Sequence, residues 1–209
     1  MESQARGGTR WKRFAVVMVP SVAATAAIGV ALAQGALAAS FSVSGQSFKV
    51  SADQLVGQDF VQYGSLADGT DLKGNKTLHP VAVSGFSSAT INNMCQSVVT
   101  PDVPIFGSVS LELRAGRDAQ KPVKATNLYL DVAQLDADAK FKNIDIGVAA
   151  GDTRIQPGTE GKVNKFGFAQ RAEEATLTDV KQTAWATTAG TFELSGLSLK
   201  LHKGVKECY

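Results

Sequence analysis

The sequence predicts an all-β fold. A single domain over residues 40–209 is built of long kinked strands, arranged as a sandwich, a half-barrel or an irregular repeat sheet, and an N-terminal apolar helix precedes it in residues 1–39. Three observations predict this. Apolar side chains beyond Phe41 recur with period two, which puts alternate residues on one face of a strand. No long amphipathic helical stripe is visible in the same region. Polar stretches rich in Gly, Pro, Asp and Lys punctuate the alternating runs, as loops do.

The N-terminal segment has the layout of an export signal. Arg6, Arg10, Lys12 and Arg13 come first, and no ionisable side chain occurs from Phe14 to Phe48. Basic residues ahead of an apolar stretch direct the downstream chain out of the cytoplasm. Two readings stay open. Ala31-Leu32-Ala33 and Ala36-Leu37-Ala38 are A-x-A sites that favour cleavage. Residues 14–33 are also about long enough, at roughly 1.5 Å per residue, to cross ~30 Å of hydrocarbon as a retained anchor. The expected location is extracytoplasmic, either secreted or held at the outer face of the cytoplasmic membrane.

The body opens on FSVSGQSFKV (Phe41–Val50) and closes on FELSGLSLKL (Phe192–Leu201), two versions of one phrase. Each reads as a strand kinked at Ser-Gly, and the two are candidates for neighbours in one sheet. Between them, Val109, Leu111 and Leu113 alternate with Ser108, Ser110 and Glu112. A longer run continues through Leu128, Leu130 and Val132, then Leu135 to Phe141, then Ile144 to Val148. Its apolar phase slips by one at Ala133-Gln134 and at Lys142-Asn143, as a β-bulge or corner requires.

A second echo pairs ATINNMCQSVV (Ala89–Val99) with ATLTDVKQTAW (Ala175–Trp185), and a third Ala-Thr stands at Ala125-Thr126. The predicted unit is a strand, a kink and another strand. Residues 64–80, 114–122 and 151–168 read as surface loops, and 168–174 as a short helical turn.

Only Cys95 and Cys208 are present. In an oxidising exterior two cysteines predict a disulfide, here one that pins the last residues onto the Cys95 strand.

Composition excludes some functions. Aromatics are 7% of 209 residues, so the core is expected to be small and aliphatic. The formal charge of +2 hides a basic N-terminus, and the body from residue 40 is net −1. That body lacks a basic stripe interleaved with aromatics, so nucleic acid is not an expected partner. No phosphate loop, dinucleotide fingerprint or His/Cys ligand spacing is present, and no cofactor or metal is expected. Asp131, Asp136, Asp138 and Asp145 invite a calcium reading. Lys140 and Lys142 share the face of Asp136 and Asp138, which fits a solvated charged face better. For catalysis the weak candidates are Ser87, in GFSSA (Gly85–Ala89), and His202; the elbow lacks its final Gly. Phe166 and Phe168 stand in a polar stretch, where they fit the lip of an apolar tube or a membrane contact. The same apolar strand faces also fit a filled core.

The stretches GTRWKRFAVVMVPSVAATAAIGVALAQGALAASFSVSG and VKQTAWATTAGTFELSGLSLKLHKGVKEC resemble an uncharacterised family of exported actinobacterial proteins. Its members are often labelled cholesterol esterase by automatic means, a label that implies hydrolysis of a sterol ester. The resemblance brings no catalytic motif to place on this chain. The expectation is therefore an exported, non-enzymatic β protein, structural or binding an apolar ligand such as a lipid. The alternative is a lipid-ester hydrolase.

Overall fold

The structure is a computed structural model that describes residues 44–209 and, ahead of them, Met18 alone. The predicted N-terminal helix and Phe41–Val43 of the opening phrase lie outside the described residues. The chain divides after Ala39, and Ser40–Tyr209 is the second unit.

The fold is all-β, one eight-stranded sheet. The strands are β1 (Phe48–Thr70), β2 (Lys76–Asn92), β3 (Met94–Val103), β4 (Gly107–Ala115), β5 (Val123–Ala149), β6 (Phe168–Thr188), β7 (Thr191–Glu193) and β8 (Ser198–Lys203). β1 pairs with β2 and β6, and β5 pairs with the same two, so these four antiparallel strands close into a ring. Following partners around it, Gly64 leads to Ala82, Val132 and Ala184, and then back to β1 at Phe48. A stagger that large means steeply tilted strands coiling around the axis, which is how so few strands enclose a core.

The coiling needs bends, and Asn and Asp supply them. Asp59, Asn93, Asn127, Asn143 and Asp179 have φ of 46–52° along the strand path. Asn and Asp enter this left-handed region at the least cost among residues with a side chain. The two Ala-Thr echoes meet here: the fifth residue of each is Asn93 or Asp179, and Asn127 directly follows the third. Ala89, Ala125 and Ala175 form a row of small residues across the ring, with Gly57 paired to both Ala89 and Ala175. That row makes room for aromatic rings. The Phe86 ring fills the place a side chain at residue 57 would take. Phe60 lies with its centroid 5.5 Å from Phe86 and 5.1 Å from Phe141. The sequence echo is thus a packing and bending device.

Of the two phase slips, Ala133-Gln134 is a register shift against β6, whereas Asn143 bends the strand with register kept. Two expectations are corrected. Most of 64–80 is strand, with only Asp71–Asn75 as the turn, because β1 and β2 continue past the ring as a hairpin. Residues 168–174 are strand β6, since Ala169, Ala172 and Ala175 take buried positions along a paired strand. The helical turns are 3-10 and fall at Ala150–Asp152 and Glu160–Lys162.

β3 continues β2 across Asn93 in unbroken register with β1. There it leaves the ring and, with β4 and β8, forms a three-stranded wing. The two halves of FELSGLSLKL divide at Ser195-Gly196: β7 stays on β5, and β8 crosses to β4. Gly196, at φ 64°, makes that turn. Among the described residues, the opening and closing phrases share the sheet but are not paired with each other. The last residues fold over one face of the wing, and Cys208 is disulfide-bonded to Cys95 on β3 with a Cα–Cα distance of 5.9 Å.

Candidate functional site

Chemistry could reside in three places: the ring interior, a groove beside it and the wing. The interior is filled. Phe86, Leu128, Val123, Ala175 and Ala184 are at most 1% exposed. The space left between Leu55, Ile91, Met94, Leu130, Val180 and Phe192 is about 30 Å³. That is room for about one or two waters. Toward the β1–β2 hairpin the lining turns polar, where Gln62 donates to Ser84 (2.9 Å) and accepts from Gln170 (2.5 Å).

The groove, about 630 Å³, lies at the bends, with a floor of Phe60, Ile144 and Ala172 and a charged rim. Each rim carboxylate already has a partner. Asp59 accepts from Ser87 at 2.6 Å, Asp145 from Arg171 at 3.0 Å, and Glu173 from Asn143 at 2.7 Å. Arg154 donates to the Asp59 carbonyl at 3.2 Å and lies over the Tyr129 ring. Burial pushes the nearby Tyr63 hydroxyl up to about 12, against the hydrogen bond it accepts from Gln156 N–H. It stays a neutral donor and acceptor that fastens the 150–167 loop.

Ser87 stands beside a carboxylate rather than a histidine: among the described residues its hydroxyl donates to Asp59 and to the Gln58 carbonyl. His202 is elsewhere, on β8 opposite Ser110, with Nε2 buried and unpartnered. His79 stacks on Trp185, ring centroids 3.6 Å apart. The described residues therefore do not bring Ser87 and His202 into one relay. Among the described residues, no group of three or more His, Cys, Asp and Glu is placed to hold a metal ion. Asp145 belongs to Arg171, Asp136 accepts from Gln134, and Asp131 is held above the usual carboxylate range by burial, partly offset by Lys162. Phe166 and Phe168 are 94% and 65% exposed, and neither lines the groove or the interior space.

The wing is the unexpected part. Its strands alternate as the sequence predicts, but the polar face is the buried one. Ser97, Ser110 and Glu112 are at most 4% exposed, under the C-terminal residues. Ser97 Oγ accepts from Cys208 N–H, and Ser110 Oγ accepts from Lys206 N–H while donating to the Gly204 carbonyl. The Arg114 hydrogen bond to Glu112 at 2.9 Å holds that carboxyl below its ordinary range despite burial, with Lys206 and His202 adding to the effect. On the other face, cross-strand pairs align Val98, Leu111 and Leu201, and beside them Thr100, Val109 and Lys203. Leu199 and Leu201 there are 56% and 70% exposed. Sequence periodicity locates both faces and says nothing of which one the tail covers.

A family model matches residues 44–209, which covers this whole region. The chain belongs to the family of unknown function DUF6230. No curated protein and no solved structure matches it. Membership in this family carries no activity with it, so the functional reading rests on the geometry above.

Proposed function

We propose that this member of DUF6230 is an exported, non-enzymatic protein of the cell envelope that engages an apolar ligand, a lipid, on a surface rather than inside a tube. The single observation that supports it is the wing's inverted burial. A sheet that hides Ser97, Ser110 and Glu112 while leaving Leu199 and Leu201 in water presents a contiguous apolar patch, and such patches mark interaction sites. The near-filled ring, with about 30 Å³ to spare, favours a surface over an enclosed tube. Export is inferred from the basic-then-apolar N-terminus, and the Cys95–Cys208 bond is compatible with it.

Native mass spectrometry of the full chain from its own host tests the reading. Lipid adducts are expected, and a lipid-free protein would sink it. The alternative, a lipid-ester hydrolase, would have to draw on Ser87. Short acyl esters turned over by the parent and not by Ser87→Ala would replace the proposal with that one.

A further inference from the structure

The lipid-binding reading leaves open what covers the wing, and four observations converge on one occupant. The β3–β4 hairpin ends in Ile105 and Phe106, 97% and 56% exposed. Ile105 has φ 73°, a left-handed conformation that a β-branched residue adopts only under constraint, and Asp102 (54°) and Gly107 (70°) flank it. The turn, closed by Phe106 N–H to the Val103 carbonyl, thus holds two large apolar side chains out into water.

The tip is continuous with the wing's bare face: Val109 and Leu111 lead back from it, with Leu201 alongside. The charge beside that face is positive. Lys203, aligned with Val109 on that face, forms no ion pair among the described residues, whereas Glu112 and Glu207 are paired with Arg114 and Lys49. Asp102 is the one carboxylate at the tip, between Met94 and Glu112 along the chain.

The chain also enters the domain here. The Gln46 side chain donates to the Val99 carbonyl and accepts from Thr100 on β3. In the sequence, residues 34–43 lie between the apolar 14–33 segment and Ser44. A second copy of the chain fits less well, because β8, the free edge of the sheet, carries Lys200 and Lys203, and lysines on an edge oppose strand addition.

We infer that the β3–β4 tip and the apolar face of the wing seat in the surface of a phospholipid bilayer bearing anionic headgroups, with Ile105 and Phe106 as the inserted wedge. This rests on the lipid-binding reading and names its substrate class. Apolar side chains enter the acyl boundary while Lys203 meets the headgroups.

The test reconstitutes the full chain into phosphatidylcholine–phosphatidylglycerol vesicles as the Phe106→Trp and Phe166→Trp variants, with parent fluorescence subtracted. The emission of Phe106→Trp should shift to the blue and be quenched at least about two-fold by brominated acyl chains, and that of Phe166→Trp should stay as in water. If Phe166→Trp alone is quenched, or if lipid co-purifies while Phe106→Trp stays unquenched, this inference falls and the lipid-binding reading stands. A blue shift at residue 106 that tracks protein concentration and ignores brominated lipid overturns it in favour of self-association. With no quenching at either position and no co-purifying lipid, both fall together.

Discussion

Leu128 on β5 and Leu201 on β8 sit in strands with similar apolar alternation, yet one is wholly buried and the other is 70% exposed. The ring and the wing solve the amphipathic-sheet problem in opposite ways. In the ring, closure turns the apolar face inward, and Phe60, Phe86 and Phe141 fill the space over a row of small residues. In the wing, the tail is bonded to the polar face at Ser97 and Ser110 and tied there by Cys208, so the apolar face is left over. Period two sorts a strand's residues into two faces, and only the covering element decides which face is inside.

The largest break in this contrast should come from cutting the tie. Replacing both Cys95 and Cys208 with Ser removes a cross-link spanning 113 residues, worth about 4–5 kcal/mol on chain-entropy arithmetic. Denaturant unfolding should report that loss, and hydrogen exchange should localise it to residues 204–209, Ser97 and Ser110. A loss below about 1 kcal/mol would make the tail a passenger.

Next in size, Phe86→Ala should cost about 3–5 kcal/mol and Gly57→Ala, which forces a Cβ into the Phe86 ring, about 1–3. Thermal melts should rank the two in that order, and hydrogen exchange should leave the wing's order of protection unchanged.

Glu112→Gln sharpens the wing side. The Glu112 carboxyl titrates lower in the folded chain than in the unfolded one. Its contribution is therefore present above the unfolded value of about 4.3 and lost as pH falls through the lower folded value. Arg114 on β4, Lys200 and His202 on β8 and Lys206 in the tail are the charged or titratable groups around it. The variant should lose about 1–3 kcal/mol at neutral pH and show a flatter acid limb. An unchanged limb would mean that another carboxylate governs it.

Smallest of all, Leu201→Ser should move stability by no more than about 0.5 kcal/mol, against several for the same change at Leu128. Equal costs would erase the distinction between the two regions.

Much of the ring is legible in the sequence. The alternation, the bulge at Ala133, the bend at Asn143 and the Cys95–Cys208 pair come from local pattern or from cysteine count. The Ala-Thr echo is visible as a repeat, but its meaning is not, because the rings it accommodates are on other strands. Closure depends on long-range pairing such as Phe48 with Ala184, which no window of sequence contains. The hairpin tip past Gly64 reads as loop because Gly, Asp and Lys dominate it, and pairing across Asp71–Asn75 overrides that composition. The groove joins Asp59, Asn143 and Arg154 from separate elements, and the buried Glu112 has the pattern of an ordinary outward residue. The exposed tip does carry a local signal, the apolar pair Ile105-Phe106 set between Pro104 and Gly107, although pattern alone does not tell a projecting pair from a buried one.

The ring also sets an order of events. Its first strand ends up beside its last, so β1 and β5 keep unsatisfied edges until β6 arrives to join them. Pairings so distant along the chain belong to the slow end of folding. Cys208 follows Cys95 by 113 residues, so their bond also waits on distant chain. A chain stopped before residue 168 would leave β1 and β5 each short of a partner, the condition in which edges meet other edges. For this protein, synthesis through β6 is itself a folding requirement.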